Sequence, residues 1–95
     1  MSGYALHPDA LADLEEIRAY IAQDSLDAAD RVITEIFEEF RFISRFPNSG
    51  HHRPELTFRL LRFRRAGEYL IAYAPEERPV WILAVLHGRR NPPAS

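Results

Sequence analysis

Residues 80–87 contain the run Val80-Trp81-Ile82-Leu83-Ala84-Val85-Leu86-His87, in which every position from 81 to 86 is apolar. A short apolar run bounded by turn residues is typical of a buried β-strand. Successive side chains of a strand point to opposite faces of its sheet, so a strand that is apolar throughout has both faces covered. We therefore predict that this strand lies in the centre of a sheet.

Further strands are predicted around this run. Two of them, over residues 57–64 and 69–73, precede it at hairpin spacing, with turns at Gly67 and at 75–79, and residues 4–6 form a short strand. Alternation along the strand at 57–64 mixes arginine with apolar residues on both faces. One face carries Phe58, Leu60, Arg62 and Arg64, and the other carries Arg59, Leu61 and Phe63. One face of the sheet should therefore present a basic, partly apolar surface.

Two helices are predicted before residue 47. Pro8 suits the first position of a helix, where its missing N–H costs nothing, and apolar residues recur at helical spacing to about Gln23. Ser25 or Asp27 can cap a second helix, which ends at Phe46 because the residue before a proline disfavours helical geometry. The fold class is therefore α+β: an N-terminal antiparallel helical hairpin packed on a three- to four-stranded antiparallel sheet, in a single domain over residues 1–95.

The charges are sorted by sign along the sequence. Residues 1–40 carry ten acidic side chains and two arginines, a formal charge of −8, whereas residues 41–95 carry ten arginines and four glutamates, +6. There is no lysine; a GC-rich genome would account for that absence but not for the position of the arginines. Because net charge bears on partners rather than on fold, and arginine grips phosphate or carboxylate at two points, the sorting indicates an anionic partner for the C-terminal half.

Several classes of protein are not supported by the sequence. It contains no cysteine, no HExxH motif and no glycine-rich phosphate loop, and the adjacent His51 and His52 would point in opposite directions on an extended segment. No metal site or cofactor is therefore expected. The N-terminus lacks the pattern of a signal peptide, and no apolar run is long enough to span a bilayer. A cytoplasmic protein without a membrane partner is predicted.

One kind of catalysis remains compatible with the residues, which is metal-free cleavage of RNA. It needs a base for the 2′-hydroxyl, an acid for the leaving oxygen and cations around the phosphate. The C-terminal half supplies ten candidate side chains: His51, His52, Glu55, Arg62, Arg64, Tyr69, Tyr73, His87, Arg89 and Arg90.

The order of short motifs along the chain resembles the ParE branch of the RelE/ParE superfamily, the toxins of type II toxin–antitoxin modules. The matching motifs are Tyr4-Ala5-Leu6-His7-Pro8, Asp13-Leu14-Glu15-Glu16-Ile17, Tyr20-Ile21-Ala22, Phe46-Pro47 with Gly50, Arg53-Pro54-Glu55-Leu56, Leu61-Arg62-Phe63, Tyr69-Leu70-Ile71-Ala72-Tyr73 and Val85-Leu86-His87-Gly88-Arg89-Arg90. The resemblance covers nearly the whole chain, and the long helical hairpin is similar to that of the ParE branch.

The resemblance implies a non-catalytic toxin that inhibits DNA gyrase, arrests replication and growth, and contributes to plasmid stabilisation. It also implies neutralisation by a cognate ParD-like antitoxin, whose acidic C-terminal segment binds the toxin in a hetero-oligomer. The alternative is a ribosome-dependent mRNA endoribonuclease of the RelE type. The absence of lysine, and of an aromatic residue or histidine in residues 91–95, departs from that type. A third class is a binding module or inactive relative that only pairs with an antitoxin.

Two sets of site residues are predicted on this basis. The residues expected to contact the target are Arg62, Arg64, His87, Arg89 and Arg90. Those expected to contact the antitoxin are Phe37, Phe40, Phe58 and Leu61. If the protein is a ribonuclease, the catalytic residues are His87, Arg62 and Arg89; otherwise there are none.

Overall fold

A computed structural model of the chain describes residues 3–56 and 60–88. Two long helices follow a short first strand and precede three further strands. The elements in chain order are β1 (Tyr4–Leu6), α1 (Pro8–Ala22), α2 (Leu26–Arg45), a 3-10 turn (Pro47–Ser49), β2 (Arg62–Ala66), β3 (Tyr69–Ala74) and β4 (Val80–His87). The α+β class with helices before the main strands is confirmed.

The helix ends follow the predicted signals. Pro8 is the first residue of α1, and the Nδ1 atom of His7 accepts a hydrogen bond from the N–H of Asp9. Of the two candidates for capping α2, Ser25 has this role: its hydroxyl oxygen accepts a hydrogen bond of 3.0 Å from the N–H of Ala28. The helix ends at Arg45, and the capping residue Phe46, which precedes a proline, has non-helical backbone angles.

The sheet has the strand order β1-β4-β3-β2, so β4 lies in its interior as predicted. β2–β3 and β3–β4 are antiparallel, but β1 pairs with β4 in parallel. The prediction of an antiparallel sheet is therefore wrong for this one pair. The helical hairpin carries the chain away from β1, and the β2–β3–β4 meander then brings β4 beside it in the same direction. Nothing in a three-residue strand indicates its direction in advance.

β2 begins later than predicted. It runs over Arg62–Ala66 rather than 57–64, and Leu60 and Leu61 precede it without strand structure. Residues 57–59, including Phe58 and Arg59, lie outside the described residues. The N–H and C=O of Phe63 both pair with the backbone of His51 on the side of β2 away from β3. The segment that follows α2 thus pairs with the outer edge of this strand at Phe63.

The main core lies between the helices and one face of the sheet. Its largest completely buried side chains are Ile36, Phe40, Ile43, Ile71, Tyr73, Val80 and Ile82. The opposite face carries a smaller cluster around Phe63, Leu70 and Ala72. Trp81 is 36% exposed, so the prediction that both faces of β4 are fully covered is wrong at this position. Within the described residues, no helix has the length and apolarity to cross a bilayer.

Candidate functional site

Of the five residues predicted to contact the target, the three that the structure describes fall in two separate places. Arg62 and Arg64 lie on one face of β2, whereas His87 is the last residue of β4. Arg62 pairs with Tyr73 and His87 pairs with Tyr69, so the two occupy opposite ends of β3. Four residues of strand separate these positions, ~13 Å at about 3.3 Å per residue. Arg62 and His87, two of the three residues predicted to cleave RNA, are therefore not brought together.

Arg64 is held against α2 by two contacts. Its Nε atom donates a hydrogen bond of 2.6 Å to a carboxylate oxygen of Glu39, and its guanidinium lies 4.2 Å from the ring centroid of Phe42. Both side chains of the ion pair are about one-third exposed. A guanidinium over an aromatic face is attracted by the ring quadrupole, and the carboxylate fixes its orientation. Arg64 and Phe42 thus form a basic surface beside an apolar group, as the sequence predicted, and this surface lies on the helix-facing side of the sheet.

The stack continues along the end of α2. The rings of Phe42 and Phe46 lie 4.9 Å apart, and they are 38% and 51% exposed. The guanidinium of Arg45 is 5.8 Å from the Phe46 ring, and Arg41 is exposed one turn earlier. We call Arg41, Phe42, Arg45, Phe46 and Arg64 the aromatic–arginine corner. Sequence reasoning missed this corner. The signal that indicates it is the i, i+4 spacing of Arg41 with Arg45 and of Phe42 with Phe46 at the end of a predicted helix.

Arg62 serves a neighbouring turn. Its guanidinium donates a hydrogen bond of 2.7 Å to the carbonyl oxygen of Gly50. The completely buried Tyr73 holds the same turn, since its hydroxyl donates to the carbonyl oxygen of Pro47 at 2.7 Å and accepts from the N–H of Gly50 at 2.8 Å. Arg62 and Tyr73 therefore fix the chain between α2 and β2, through one guanidinium nitrogen of Arg62 and the hydroxyl of Tyr73.

His87 belongs to a different cluster at the far end of the sheet. Its ring meets the Tyr69 ring edge-on at a centroid distance of 5.2 Å, and its Nε2 atom is 3.7 Å from a carboxylate oxygen of Glu68. The N–H of Gly88 donates to the carbonyl oxygen of Glu68 at 2.7 Å. A Cβ at position 88 would meet Arg65 at 3.3 Å, so this guanidinium lies beside the chain where β4 ends. The sequence predicted His87 and Tyr69 but not Glu68 or Arg65.

The remaining ribonuclease candidates do not join this cluster. His51 pairs through its backbone with Phe63 at the edge of β2, and the following His52 is exposed. Glu55 forms a hydrogen-bonded ion pair with Arg53, which lowers the pKa of Glu55. The predicted site also includes Arg89 and Arg90, which lie outside the described part of the chain.

An acidic side chain of α1 reaches the sheet where β1 has ended. β1 pairs with β4 only as far as Ile82, and the N–H of Val85 instead donates a hydrogen bond of 2.9 Å to a carboxylate oxygen of Asp13. Burial raises the pKa of Asp13 above its usual value of 3.8; the hydrogen bond from Val85 lowers it, and the nearby carboxylates of Glu16 and Asp9 raise it. Asp13 thus takes the place of a missing strand partner.

Comparison with known proteins identifies the family. A family model described as the ParE toxin of the type II toxin–antitoxin system parDE matches residues 4–92. The chain belongs to the ParE toxin family. A solved structure titled "Chromosomal ParDE TA system from P. aeruginosa" includes a chain with the same fold, with a TM-score of 0.75 and 19% identity over 92% of this chain and 96% of that one. No curated protein matches the sequence.

The residues predicted to contact the antitoxin have different environments in this ParE-family chain. Phe40 is completely buried and packs against Phe37 and Tyr4, with ring centroids 5.3 Å apart in each pair. Phe37 is half-buried on the same core, and Leu61 is half-buried beside the smaller cluster on the opposite face. Phe58 lies outside the described residues. Phe40 therefore supports the core of the toxin fold and offers no accessible surface to a partner.

Proposed function

We propose that this chain is the toxin of a type II toxin–antitoxin module, that it inhibits DNA gyrase without catalysis, and that a cognate antitoxin neutralises it in the cytoplasm. The observation that carries the proposal is the match to the ParE toxin family over residues 4–92. The antitoxin is ParD-like, with an acidic C-terminal segment suited to an arginine-rich surface. Arrest of replication then explains growth arrest and, where the module lies on a plasmid, its stabilisation.

The geometry of the predicted ribonuclease residues supports a non-catalytic action. A general acid or base must lie within hydrogen-bond reach of the atom it serves, at about 2.6–3.2 Å or through one water. Arg62 and His87 lie at opposite ends of β3, and the Arg62 guanidinium is bonded to the carbonyl of Gly50. A single phosphate group cannot be served by both in this arrangement.

A ribosome-dependent endoribonuclease is the second candidate, because one cluster retains suitable chemistry. His87 lies against Tyr69 and near Glu68, with Arg65 beside the following glycine. These side chains provide a proton carrier and a cation close to the end of β4. If RNA cleavage occurs, this cluster is the place for it, and Arg62 is not part of it.

The two candidates differ in the process that fails first. Expression should be induced in cells that lack the antitoxin, with labelled thymidine and labelled methionine added in parallel. We expect incorporation of thymidine to fall before that of methionine, and purified protein to inhibit supercoiling by gyrase. A first loss of methionine incorporation, with mRNA cleaved on ribosomes, contradicts the gyrase proposal.

Two sets of substitutions then locate the effector surface. Arg89→Glu/Arg90→Glu should abolish growth arrest. Arg31→Glu, which reverses the charge of an exposed residue on α2, should leave growth arrest intact. His87→Gln should leave most of the toxicity of a gyrase inhibitor, since it alters one of several predicted target contacts, but should reduce RNA cleavage by ~10²–10⁴-fold in an enzyme. Both results require variants with unchanged thermal unfolding. A stable Arg89→Glu/Arg90→Glu variant that still arrests growth places the effector surface elsewhere.

The antitoxin proposal has its own test. The toxin should be co-expressed with its cognate antitoxin. Affinity purification of the toxin should then yield a soluble hetero-oligomer of the two proteins. Removal of the partner's acidic segment should abolish both capture and protection from growth arrest. Recovery of the toxin alone, soluble and harmless, contradicts neutralisation by binding.

A further inference from the structure

The aromatic–arginine corner carries charge and apolar surface that the described part of the chain leaves accessible. Phe42 and Phe46 expose 38% and 51% of their surface side by side. Arg41 and Arg45 are exposed and form no ion pair among residues 3–56 and 60–88. Arg64 adds a third guanidinium that Glu39 and the Phe42 ring hold in place. The corner is thus a preorganised surface for an acidic partner with small apolar groups.

A surface of complementary character lies on the outer side of α1. Helical geometry places Leu11, Ala12, Glu15, Glu16 and Ala19 on one side of this helix, and all five are exposed. Leu11 is 49% exposed, and neither glutamate has an ion-pair partner within the residues that the structure describes. We call these five residues the acidic face of α1. It combines two carboxylates with a leucine and two alanines that allow close approach.

The two surfaces do not pair with each other within one molecule. α1 packs against α2, β4 and β1, while the aromatic–arginine corner lies where α2 ends and reaches β2 through Arg64. Among the described residues no ion pair joins Glu15 or Glu16 to Arg41 or Arg45, and all four side chains are exposed. The corner of one copy is therefore accessible to the acidic face of another copy.

We propose that copies of this chain associate head to tail, with the aromatic–arginine corner of one copy on the acidic face of α1 of the next. The contact joins two different surfaces, so it is heterologous and continues beyond a dimer unless the copies close into a ring. Phe42 and Phe46 pack on Leu11 and the alanines, while Arg41 and Arg45 pair with Glu15 and Glu16.

A second copy fits the corner better than a nucleic acid does. Apart from Arg31, the arginines of α2 lie in its last turns, and the exposed Glu35 and Glu38 precede them on the same helix. A nucleic acid strand is a long polyanion whose binding depends on many phosphate contacts. It would meet these carboxylates and the formal charge of −8 in residues 1–40. The acidic face of α1 presents only two carboxylates over a short distance.

Charge exchange tests the proposal directly. The corner variant is Arg41→Glu/Arg45→Glu, and the face variant is Glu15→Arg/Glu16→Arg. Sedimentation of the wild type over a range of concentrations should give a mean mass that rises above 11.0 kDa, and each variant alone should remain at the monomer mass. An equimolar mixture of the two variants should associate as the wild type does, because each again finds a surface of opposite charge.

Salt and a matched control complete the design. An increase from 0.1 M to 1 M salt shortens the screening length from about 10 Å to about 3 Å and should raise the dissociation constant at least ~10-fold. The control Glu76→Arg/Glu77→Arg makes the same charge change in the exposed turn before β4 and should leave association unchanged.

Circular dichroism and thermal unfolding establish that each variant folds. A wild type that stays monomeric at the highest soluble concentration overturns the proposal, and so does a mixture of folded variants that fails to associate. Binding of single-stranded DNA at the corner without self-association also overturns it and assigns the surface to nucleic acid.

Discussion

Replacing Asp13 with alanine should leave the N–H of Val85 without an acceptor, at a point where β1 no longer pairs with β4. Val85 is almost completely buried, so water cannot easily replace the carboxylate. An unsatisfied buried donor costs ~1–3 kcal/mol. In a domain of 95 residues, each 1 kcal/mol shifts Tm by about 4–8 °C, so Asp13→Ala should lower Tm by at least about 4 °C.

Asn is the informative control at this position, because it keeps an oxygen acceptor and removes the charge. Burial raises the pKa of Asp13 above 3.8, so the folded state binds more protons than the unfolded state between 3.8 and the raised pKa. The contribution of Asp13 to the free energy of unfolding therefore falls as pH rises through that window. We expect Asp13→Asn to be at least as stable as the wild type at pH 7, and its advantage to shrink as pH is lowered toward 3.8.

Two measurements check this reasoning. Urea unfolding between pH 3 and pH 7.5 gives the free energy of unfolding of all three proteins, and hydrogen exchange reports on the Val85 amide itself. That amide should exchange faster in Asp13→Ala than in the wild type, and slowly in Asp13→Asn. If Asp13→Asn is as unstable as Asp13→Ala at pH 7, the carboxylate acts through its charge and the hydrogen-bond explanation is wrong.

Further predictions concern the ends of α2. Ser25→Ala removes the hydroxyl that accepts from Ala28 and should cost ~1 kcal/mol by urea unfolding, while Ser25→Asn should retain most of that stability. Tyr73→Phe leaves the buried N–H of Gly50 without its acceptor and should cost ~1–3 kcal/mol. Gly50→Ala brings a Cβ to 2.5 Å from the Tyr73 hydroxyl and should cost a similar ~1–3 kcal/mol; a stable Gly50→Ala protein would contradict the close packing of this turn.

Local signals in the sequence predicted the helices and the central strand well. Pro8, the Ser25 cap and Phe46-Pro47 set helix boundaries through interactions between near neighbours in the chain. The apolar run at 80–87 indicated a position in the middle of the sheet, and the strand order confirms it. These features depend on backbone sterics and on hydrophobic periodicity, both of which are visible in a single sequence.

The features that sequence reasoning missed depend on contacts between distant residues. The alternation at 57–64 correctly predicted a strand in this part of the chain. Its first residue, Arg62, is instead determined by pairing with β3. Alternation also placed Arg62 and Arg64 on one face without indicating that this face meets α2. The separation of Arg62 from His87 likewise follows from the register of the strands, which pairs His87 with the opposite end of β3. Choosing residues by their chemical type gives no information about this register.

Part of the charge sorting along the sequence serves the fold, and mutation can separate this part from charges that remain accessible to a partner. Arg64 in the basic half pairs with Glu39 in the acidic half, so part of the sorting joins β2 to α2 and serves the fold. Arg41 and Arg45 have no such ion pair among the described residues and remain accessible to a partner. Arg41→Glu/Arg45→Glu should therefore leave the free energy of unfolding within about 0.5 kcal/mol of the wild type while weakening partner binding.

Arg64→Glu should lower both quantities, because it puts two carboxylates together and removes the cation over Phe42. Urea unfolding and sedimentation, which reports association with a second copy, measure the two effects on the same preparations. Equal destabilisation by the Arg41/Arg45 and Arg64 variants would mean that all three arginines serve the fold, and that the charge sorting gives no information about a partner.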